Sequence, residues 1–288
     1  MKAAALSYAR PTQLAAVLEL LKLHGDEARI LAGGQTLLAT LNMRLSEPAL
    51  LIDMQSVQEL KGISVSGTTL RIGAMVTHTE IETSDLVARH APLLTAAAPH
   101  IAHRAIRNLG TFGGSIAYGD PAAEWPACLL ALDGTVVVRG LQGERRIAAA
   151  EFFTGLYTTE LAADEIITAC EIPTLQPTLR FSFAELARRH GDYAVVGLAA
   201  TALIQGNTVA QMRLAWIGVG LTPIRSVATE RAMSGQELNT KLITAAQQAL
   251  RAELQPLPDL THGEAAKRQL ACVLLKRAIT GLMIPTSV

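Results

Sequence analysis

Three cysteines, Cys128, Cys170 and Cys272, are spread over 288 residues at no spacing that suits a metal site or a disulfide framework. That scarcity points to a reduced, cytoplasmic setting. It also excludes an iron–sulfur cluster ligated by this chain alone. Charge of neither sign is in surplus, since 25 basic residues meet 25 acidic ones. A basic face for nucleic acid or for an anionic membrane is therefore not indicated. No apolar run reaches the roughly 18 residues of a membrane-spanning helix. The opening MKAAALSYARPTQ is too short and too polar to read as a signal peptide. Repeats and low-complexity tracts are missing as well. Neither a Rossmann GxGxxG nor a lysine-bearing phosphate loop occurs, which disfavours a nicotinamide or a nucleoside triphosphate as ligand.

What is present is a chain half hydrophobic by composition and long enough for two domains with cores of their own. Leu14, Val17, Leu18 and Leu21 form a helical stripe with Thr12 as its expected N-cap. A short strand over Ala28 to Leu31 runs into Ala32-Gly33-Gly34-Gln35-Thr36. A helix over Leu37 to Leu45 and a strand over Ala49 to Asp53 complete a small α/β unit. Ser66-Gly67-Thr68 reads as a hairpin turn. Thr77 or Thr79 is placed to cap a helix through residue 84, and Leu86 to Ala98 reads as another helix. Pro99 to Asn108 is irregular, and Gly110 to Ala117 reads as loop and short strand. Asp120-Pro121 resembles a helix start, but Pro126 moves that start toward Glu124. Strands follow over Thr135 to Arg139, Arg145 to Ile147 and Ile166 to Ile172. Pro173 to Pro177 is the expected boundary. Beyond it lie two apolar strands joined at Gly206-Asn207, then helices over Val227 to Met233, Leu238 to Leu254 and Glu264 to Thr280. Strands followed by helices read as an α+β layer sandwich.

Two stretches carry chemistry. LAGGQTLL (31–38) and TFGGSIAYGDPAAE (111–124) each hold a Gly-Gly pair edged by hydroxyl or amide side chains. Without Cβ atoms the backbone can come close to an anion and turn its N–H groups inward as a nest. Gln35, Thr36, Thr111 and Ser115 add side-chain hydrogen bonds. Two such loops in one half of the chain favour the pyrophosphate of a dinucleotide, held between subdomains.

These loops, with LIDMQSVQEL, RIGAMVTHTEIE, IRNLGTFGGSIAYGDPAAE and RRHGDYAVVG in the same order, resemble the FAD-binding medium subunit of the xanthine dehydrogenase and carbon monoxide dehydrogenase family of molybdenum hydroxylases. The resemblance runs from about residue 1 to about residue 285. It implies an α+β fold: a two-subdomain, vanillyl-alcohol-oxidase/PCMH-like FAD-binding domain over 1–175, with subdomains of about 1–55 and 56–175. A C-terminal α+β domain over 176–288 would follow, with a three-stranded antiparallel sheet and helices. It further implies that Leu31, Ala32, Gly33, Gly34, Gln35, Thr36 and Leu37 wrap the FAD pyrophosphate, while Thr111, Gly113, Gly114 and Ser115 hold it from the other side. Glu124 would lie near the nucleotide, Ile167 on the strand bordering the flavin, and Tyr193 near the isoalloxazine ring, with Asp192 and Arg188 or Arg189 beside it.

By the same resemblance the chain has no catalytic residue toward the organic substrate. Hydroxylation would occur at a molybdenum cofactor in a large partner subunit. Electrons would pass through two [2Fe–2S] clusters of a small partner to FAD here, and then to an external acceptor. A dimer of heterotrimers is the expected assembly. No histidine lies in either loop, so FAD is expected to be non-covalent. His100, His103 and His190 match no metal spacing. His78 is read as a capping or supporting residue as readily as a flavin contact. The alternatives are a stand-alone FAD-dependent oxidoreductase of the same fold and a flavin-free assembly subunit.

Overall fold

The computed structural model describes residues 2–176 and 178–283. Its first unit runs β1 (Ser7–Ala9), α1 (Leu14–His24), β2 (Ala28–Leu31), α2 (Leu37–Asn42) and β3 (Leu50–Asp53). The strands pair in parallel in the order β1-β3-β2. Helix α1 buries Leu14, Val17, Leu18 and Leu21 against this sheet, the stripe expected from their spacing. Its cap is not Thr12. Gln13 is the N-cap and gives no side-chain bond. The Leu14 N–H instead donates to Glu59 Oε1 at 3.0 Å, a carboxylate brought in from 45 residues away. Helix α2 ends at Asn42, three residues early, because Arg44 adopts a left-handed backbone with φ of 56°.

The middle of the chain runs β4 (Ile63–Ser66), β5 (Thr69–Gly73), α3 (His78–Thr83), α4 (Asp85–His90), α5 (Pro92–Ala97), α6 (Arg104–Arg107), α7 (Phe112–Tyr118), α8 (Glu124–Ala131), β6 (Thr135–Gly140), β7 (Gly143–Ala148), α9 (Ala149–Phe152), β8 (Phe153–Gly155), β9 (Thr158–Thr159) and β10 (Ile166–Pro173). Five strands form an antiparallel sheet in the order β4-β5-β10-β6-β7. The single helix expected over Leu86 to Ala98 is two, since Pro92 has no N–H to continue α4 and opens α5 instead. The irregular stretch before Asn108 contains the one-turn α6. Thr77 caps α3 through a reciprocal capping box with Glu80.

In the glycine-rich stretch one expectation is corrected and one, the helix start near Glu124, is met. Gly110 to Ala117 is not loop and strand: Thr111 is an N-cap whose side chain accepts from the Gly114 N–H, and α7 follows at once. Asp120 caps no helix. Its Oδ1 accepts from the Ala122 N–H at 2.8 Å in a side-chain turn, and α8 begins at Glu124. Pro126 then falls in the first turn, where its missing N–H costs nothing.

The last part runs β11 (Leu179–Ala187), β12 (Ala194–Gln205), β13 (Thr208–Ile217), β14 (Ile224–Arg225), α10 (Val227–Met233), α11 (Thr240–Glu253) and α12 (Glu264–Met283). Its antiparallel sheet, order β11-β12-β13-β14, has four strands rather than three, the fourth only two residues long. Both faces of β12 and β13 are covered, which explains their near-continuous apolar sequence. Ala199, Ala215 and Ile217 join the core of the middle sheet and α8. Leu198, Ala200, Leu214 and Trp216 join the core under α10, α11 and α12. The Thr201 hydroxyl donates to the Ala131 carbonyl at 2.9 Å and ties this sheet to the end of α8.

Candidate functional site

The two glycine stretches meet. A Cβ on Gly33 would lie 2.2 Å from the Leu109 carbonyl oxygen and 2.7 Å from Gly110 Cα. A Cβ on Gly113 would lie 2.5 Å from Ala74 Cβ, and one on Gly114 would lie 3.3 Å from Ala32 Cβ. Gly33 and Gly113 are thus required by backbone packing, and Gly34 by its φ of 72°. The second stretch is held from below by a bridge between Thr77 and Thr111 and by the bond from the His78 N–H to the Gly110 carbonyl, 2.9 Å.

The stretches differ in what they offer a ligand. In the second, the N–H groups from Phe112 to Ser115 are spent inside the protein: Phe112 donates to the Val76 carbonyl at 2.8 Å, Gly113 to Ala74 at 2.9 Å and Ser115 to Thr111 at 3.1 Å. The Gly114 N–H goes to Thr111 Oγ1. In the first, the N–H groups of Gly33, Gly34, Gln35, Thr36 and Leu37 donate to no protein acceptor among the described residues. Gln35 Nε2 returns to the Gly33 carbonyl at 2.9 Å and stiffens the turn. None of these residues is fully buried, so the donors stand at a reachable surface. A run of five unclaimed N–H groups beside a second glycine stretch has the chemistry of a pyrophosphate cradle. FAD carries that group, and the residues fit it. The first stretch therefore leaves a run of five N–H groups without a protein acceptor, while the second spends those of Phe112 to Ser115 on the fold.

Beneath the second stretch lies a support that the motif did not show. The Trp125 indole donates to His78 Nδ1 at 3.0 Å, both rings being buried. The imidazole proton therefore sits on Nε2. Burial, then the Arg107 charge, lowers the His78 pKa to about 4, so the ring is neutral. Gly110 passes directly over it: a Cβ there would fall 2.7 Å from His78 Nε2. His78 is a pillar under the backbone.

The remaining expected residues lie in β10, at the start of α8 and in the turn before β12. Ile167 is buried in β10, beside a bulge between Ile167 and Ala169 in the pairing with β6. Glu124 opens α8, where burial and then the Glu185 charge raise its carboxyl pKa to about 8. Glu185, on β11, is raised to about 7 by burial, and its Oε2 has no hydrogen-bond partner. A pair of carboxyls from α8 and β11 thus keeps a proton near neutrality. Tyr193 is exposed in the turn before β12. It shares its surroundings with Tyr118 and Tyr157, whose rings stand 5.0 Å apart. Partial burial and then the Asp120 carboxylate raise all three phenol pKa values. Glu185 and Tyr157 lie outside every motif, and Tyr118 and Asp120, though inside the second stretch, were given no part in the site. Only the φ of 52° at Tyr157, invisible in sequence, marks that residue as unusual. Among the described residues, no group of three or more His, Cys, Asp or Glu side chains is placed to hold a metal ion.

A chain with two facing glycine stretches and one unclaimed N–H run is built for a dinucleotide. The family model for the FAD binding domain in molybdopterin dehydrogenase matches residues 4–175, and that for the CO dehydrogenase flavoprotein C-terminal domain matches residues 181–282. The chain belongs to this family of FAD-binding medium subunits of molybdenum hydroxylases. It is 41% identical over 281 residues to the nicotine 6-hydroxylase medium subunit of Paenarthrobacter nicotinovorans, covering 97% of this chain and 98% of that one. The carbon monoxide dehydrogenase structure from Hydrogenophaga pseudoflava matches with a TM-score of 0.95 at 34% identity, over 98% of this chain and 99% of that one. Quinoline 2-oxidoreductase from Pseudomonas putida 86 matches with a TM-score of 0.93 at 36% identity, over 99% of this chain and 100% of that one. Among the described residues no helix is long and apolar enough to cross a membrane.

Proposed function

We propose that this chain is the flavoprotein subunit of a cytoplasmic heterotrimeric molybdenum hydroxylase, assembled as a dimer of heterotrimers with a large molybdenum-cofactor subunit and a small [2Fe–2S] subunit. The observation that carries the reading is the unclaimed N–H run from Gly33 to Leu37, set against the second glycine stretch. Bound FAD supplies two-electron storage between the iron–sulfur clusters and an external acceptor. The chain's own residues bind and orient it. Leu31 and Ala32 bring the backbone out of β2, and the N–H groups from Gly33 to Leu37 neutralise the pyrophosphate. Thr111 and Ser115 add hydroxyls, while Gly113 and Gly114 let the two stretches close. Ile167 and Tyr193 border the ring system. Glu124, protonated beside Glu185, presents a hydrogen-bond donor near the nucleotide rather than a second negative charge. The reading also divides the chain near residues 173–177 into an FAD-binding domain with two subdomains and a C-terminal domain. Relatives whose names specify nicotine, quinoline and carbon monoxide share this fold at 34–41% identity, which supports placing substrate choice outside the chain.

Purification of the chain from its native host tests this. Co-isolation with two partners, one carrying molybdenum and one carrying iron and sulfide, is the expected result. A lone, metal-free species that oxidises an organic substrate by itself would contradict it.

A further inference from the structure

Lys267 is buried on α12, a helix that otherwise turns Ala271, Cys272, Leu274, Leu275 and Ala278 to the core under the last sheet. An ammonium group taken out of water has to be paired. Its Nζ lies 2.9 Å from Asp259 Oδ2, a carboxylate in the loop before the helix, and donates to the Gly218 carbonyl at 2.9 Å. The Asp259 end is firm. Its Oδ1 accepts from the Thr261 and His262 N–H groups, both at 2.8 Å, and its own N–H donates to the His262 carbonyl at 3.0 Å. The bond from Lys267, with these turn bonds, holds the Asp259 carboxyl well below the usual carboxylate range. An ion pair with a buried member is weak evidence for stability, since an apolar residue of similar volume often packs as well. What the pair does specify is the position of Gly218.

Gly218 follows β13 directly, with a φ of 76°. A Cβ there would stand 2.7 Å from the Val195 carbonyl oxygen and 2.9 Å from that of Ala194. Its backbone therefore presses on the first residues of β12, next to Tyr193. On the other side the Gly218 N–H donates to the Pro121 carbonyl at 2.9 Å. Pro121 belongs to the Asp120 side-chain turn that leads from the second glycine stretch to Glu124. Gly218 is thus a wedge between the segment that carries Tyr193 and the segment that carries Glu124. Glycine has wide backbone freedom, so its own chemistry does not fix the direction of this peptide group. Lys267 supplies the hold at the Gly218 carbonyl, and the Leu257 N–H, donating to the Val219 carbonyl at 2.9 Å, holds the next one. A strut runs from the Asp259 loop through Lys267 and Gly218 to both segments.

We propose that Lys267 is a positioning residue that acts on the flavin ring from a distance: by fixing Gly218 it sets the spacing between the Tyr193 and Glu124 segments. The inference rests on the reading that places those two residues beside the cofactor, and it adds a residue of α12 that touches no ligand. The test compares the full chain as wild type, Lys267→Met, Lys267→Arg and Asp259→Asn. Two quantities are measured: amide hydrogen exchange at Gly218 and Ala122 without flavin, and visible circular dichroism of FAD bound to each protein. Lys267→Met keeps an apolar stem and removes the charge. It should speed exchange at both amides about tenfold, leave the α1 amides unchanged and alter the flavin dichroism. Lys267→Arg should restore both signals, and Asp259→Asn should move both in the direction of Lys267→Met, by less. If Lys267→Met lowers the melting temperature but leaves exchange and dichroism as in the wild type, Lys267 is a structural member only and the proposal is overturned, with the FAD reading intact. Faster exchange with unchanged dichroism overturns it too, because the strut then ends short of the flavin. Wild type that binds no FAD defeats the underlying reading and this inference with it. Should Lys267→Met fail to fold, Asp259→Asn decides, because the Asp259 side chain is 40% exposed and its loss leaves the core intact. Wild-type exchange and dichroism in that variant would overturn the proposal.

Discussion

Substituting Gly33 by alanine adds one methyl group at the tightest point between the two glycine stretches. That methyl would stand 2.2 Å from the Leu109 carbonyl oxygen, where ordinary contact begins at 3.4 Å. Both partners are backbone, so no side chain can swing away, and the stretches must part by about 1 Å. Overpacking of this kind costs about 1–3 kcal/mol. The displaced element is the N–H run itself, so the cost falls on ligand binding as well as on folding. FAD affinity should drop about 10- to 100-fold, since each 1.4 kcal/mol is tenfold. Quenching of flavin fluorescence on titration gives the affinity, and thermal melts with and without FAD separate binding from stability. Gly263→Ala is the control, because a Cβ there meets nothing within 4 Å and needs no left-handed backbone. If Gly33→Ala binds FAD as tightly as Gly263→Ala, the contact between the stretches does not shape the site, and the reasoning is refuted.

Other expectations follow from the supports around that contact. Trp125→Phe removes the donor to His78 Nδ1 and leaves a buried acceptor unpaired, so it should lower unfolding stability by about 1–3 kcal/mol in urea titration. Glu59→Ala should cost about 1 kcal/mol by uncapping α1, whereas Thr12→Ala should cost little; the reverse order would restore Thr12 as the cap. The carboxyl pair predicts an alkaline weakness. Glu124 and Glu185 hold protons in the fold up to about pH 8 and about pH 7, against 4.5 when unperturbed. Their contribution is whole below pH 4.5 and is lost as pH rises through 7 to 8. Melting temperature should therefore fall on the alkaline side, and Glu124→Gln, which cannot ionise, should flatten the fall; an equal fall in the variant contradicts the assignment. His78 acts at the other end. Its pKa, lowered from 6.5 to about 4, makes stability fall as pH drops through that window.

Much of this architecture was legible because local signals and tertiary demands agree. The stripe from Leu14 to Leu21, the Gly206-Asn207 hairpin and the glycine stretch after β2 are of that kind. Where they part, a distant group intervenes. Glu59 caps α1 in place of Thr12, and no window of sequence around Leu14 contains it. The stretch at Gly110 to Ala117 hides a helix, since two adjacent glycines argue against one. The fold overrides that propensity by packing Gly113 on Ala74 and capping with Thr111. β11 begins with an alternating Leu179-Arg180-Phe181-Ser182-Phe183, yet its residues are half-buried on both faces, so burial does not follow the pattern. The glycine pairs announced a close approach but not its object: Gly33 and Gly113 face backbone, and the run of five unclaimed donors belongs to the first stretch. The parallel order β1-β3-β2, which brings three strand ends to one edge, is a property of the whole unit.

The central claim is that the chain by itself forms a specific, reversible seat for FAD. The most direct measurement is the flavin content of the full chain after incubation with excess FAD and gel filtration, followed by acid precipitation. One FAD per chain, released intact into the acid supernatant, is the predicted result. A chain that leaves the column colourless, or a flavin that stays with the precipitate, would contradict it.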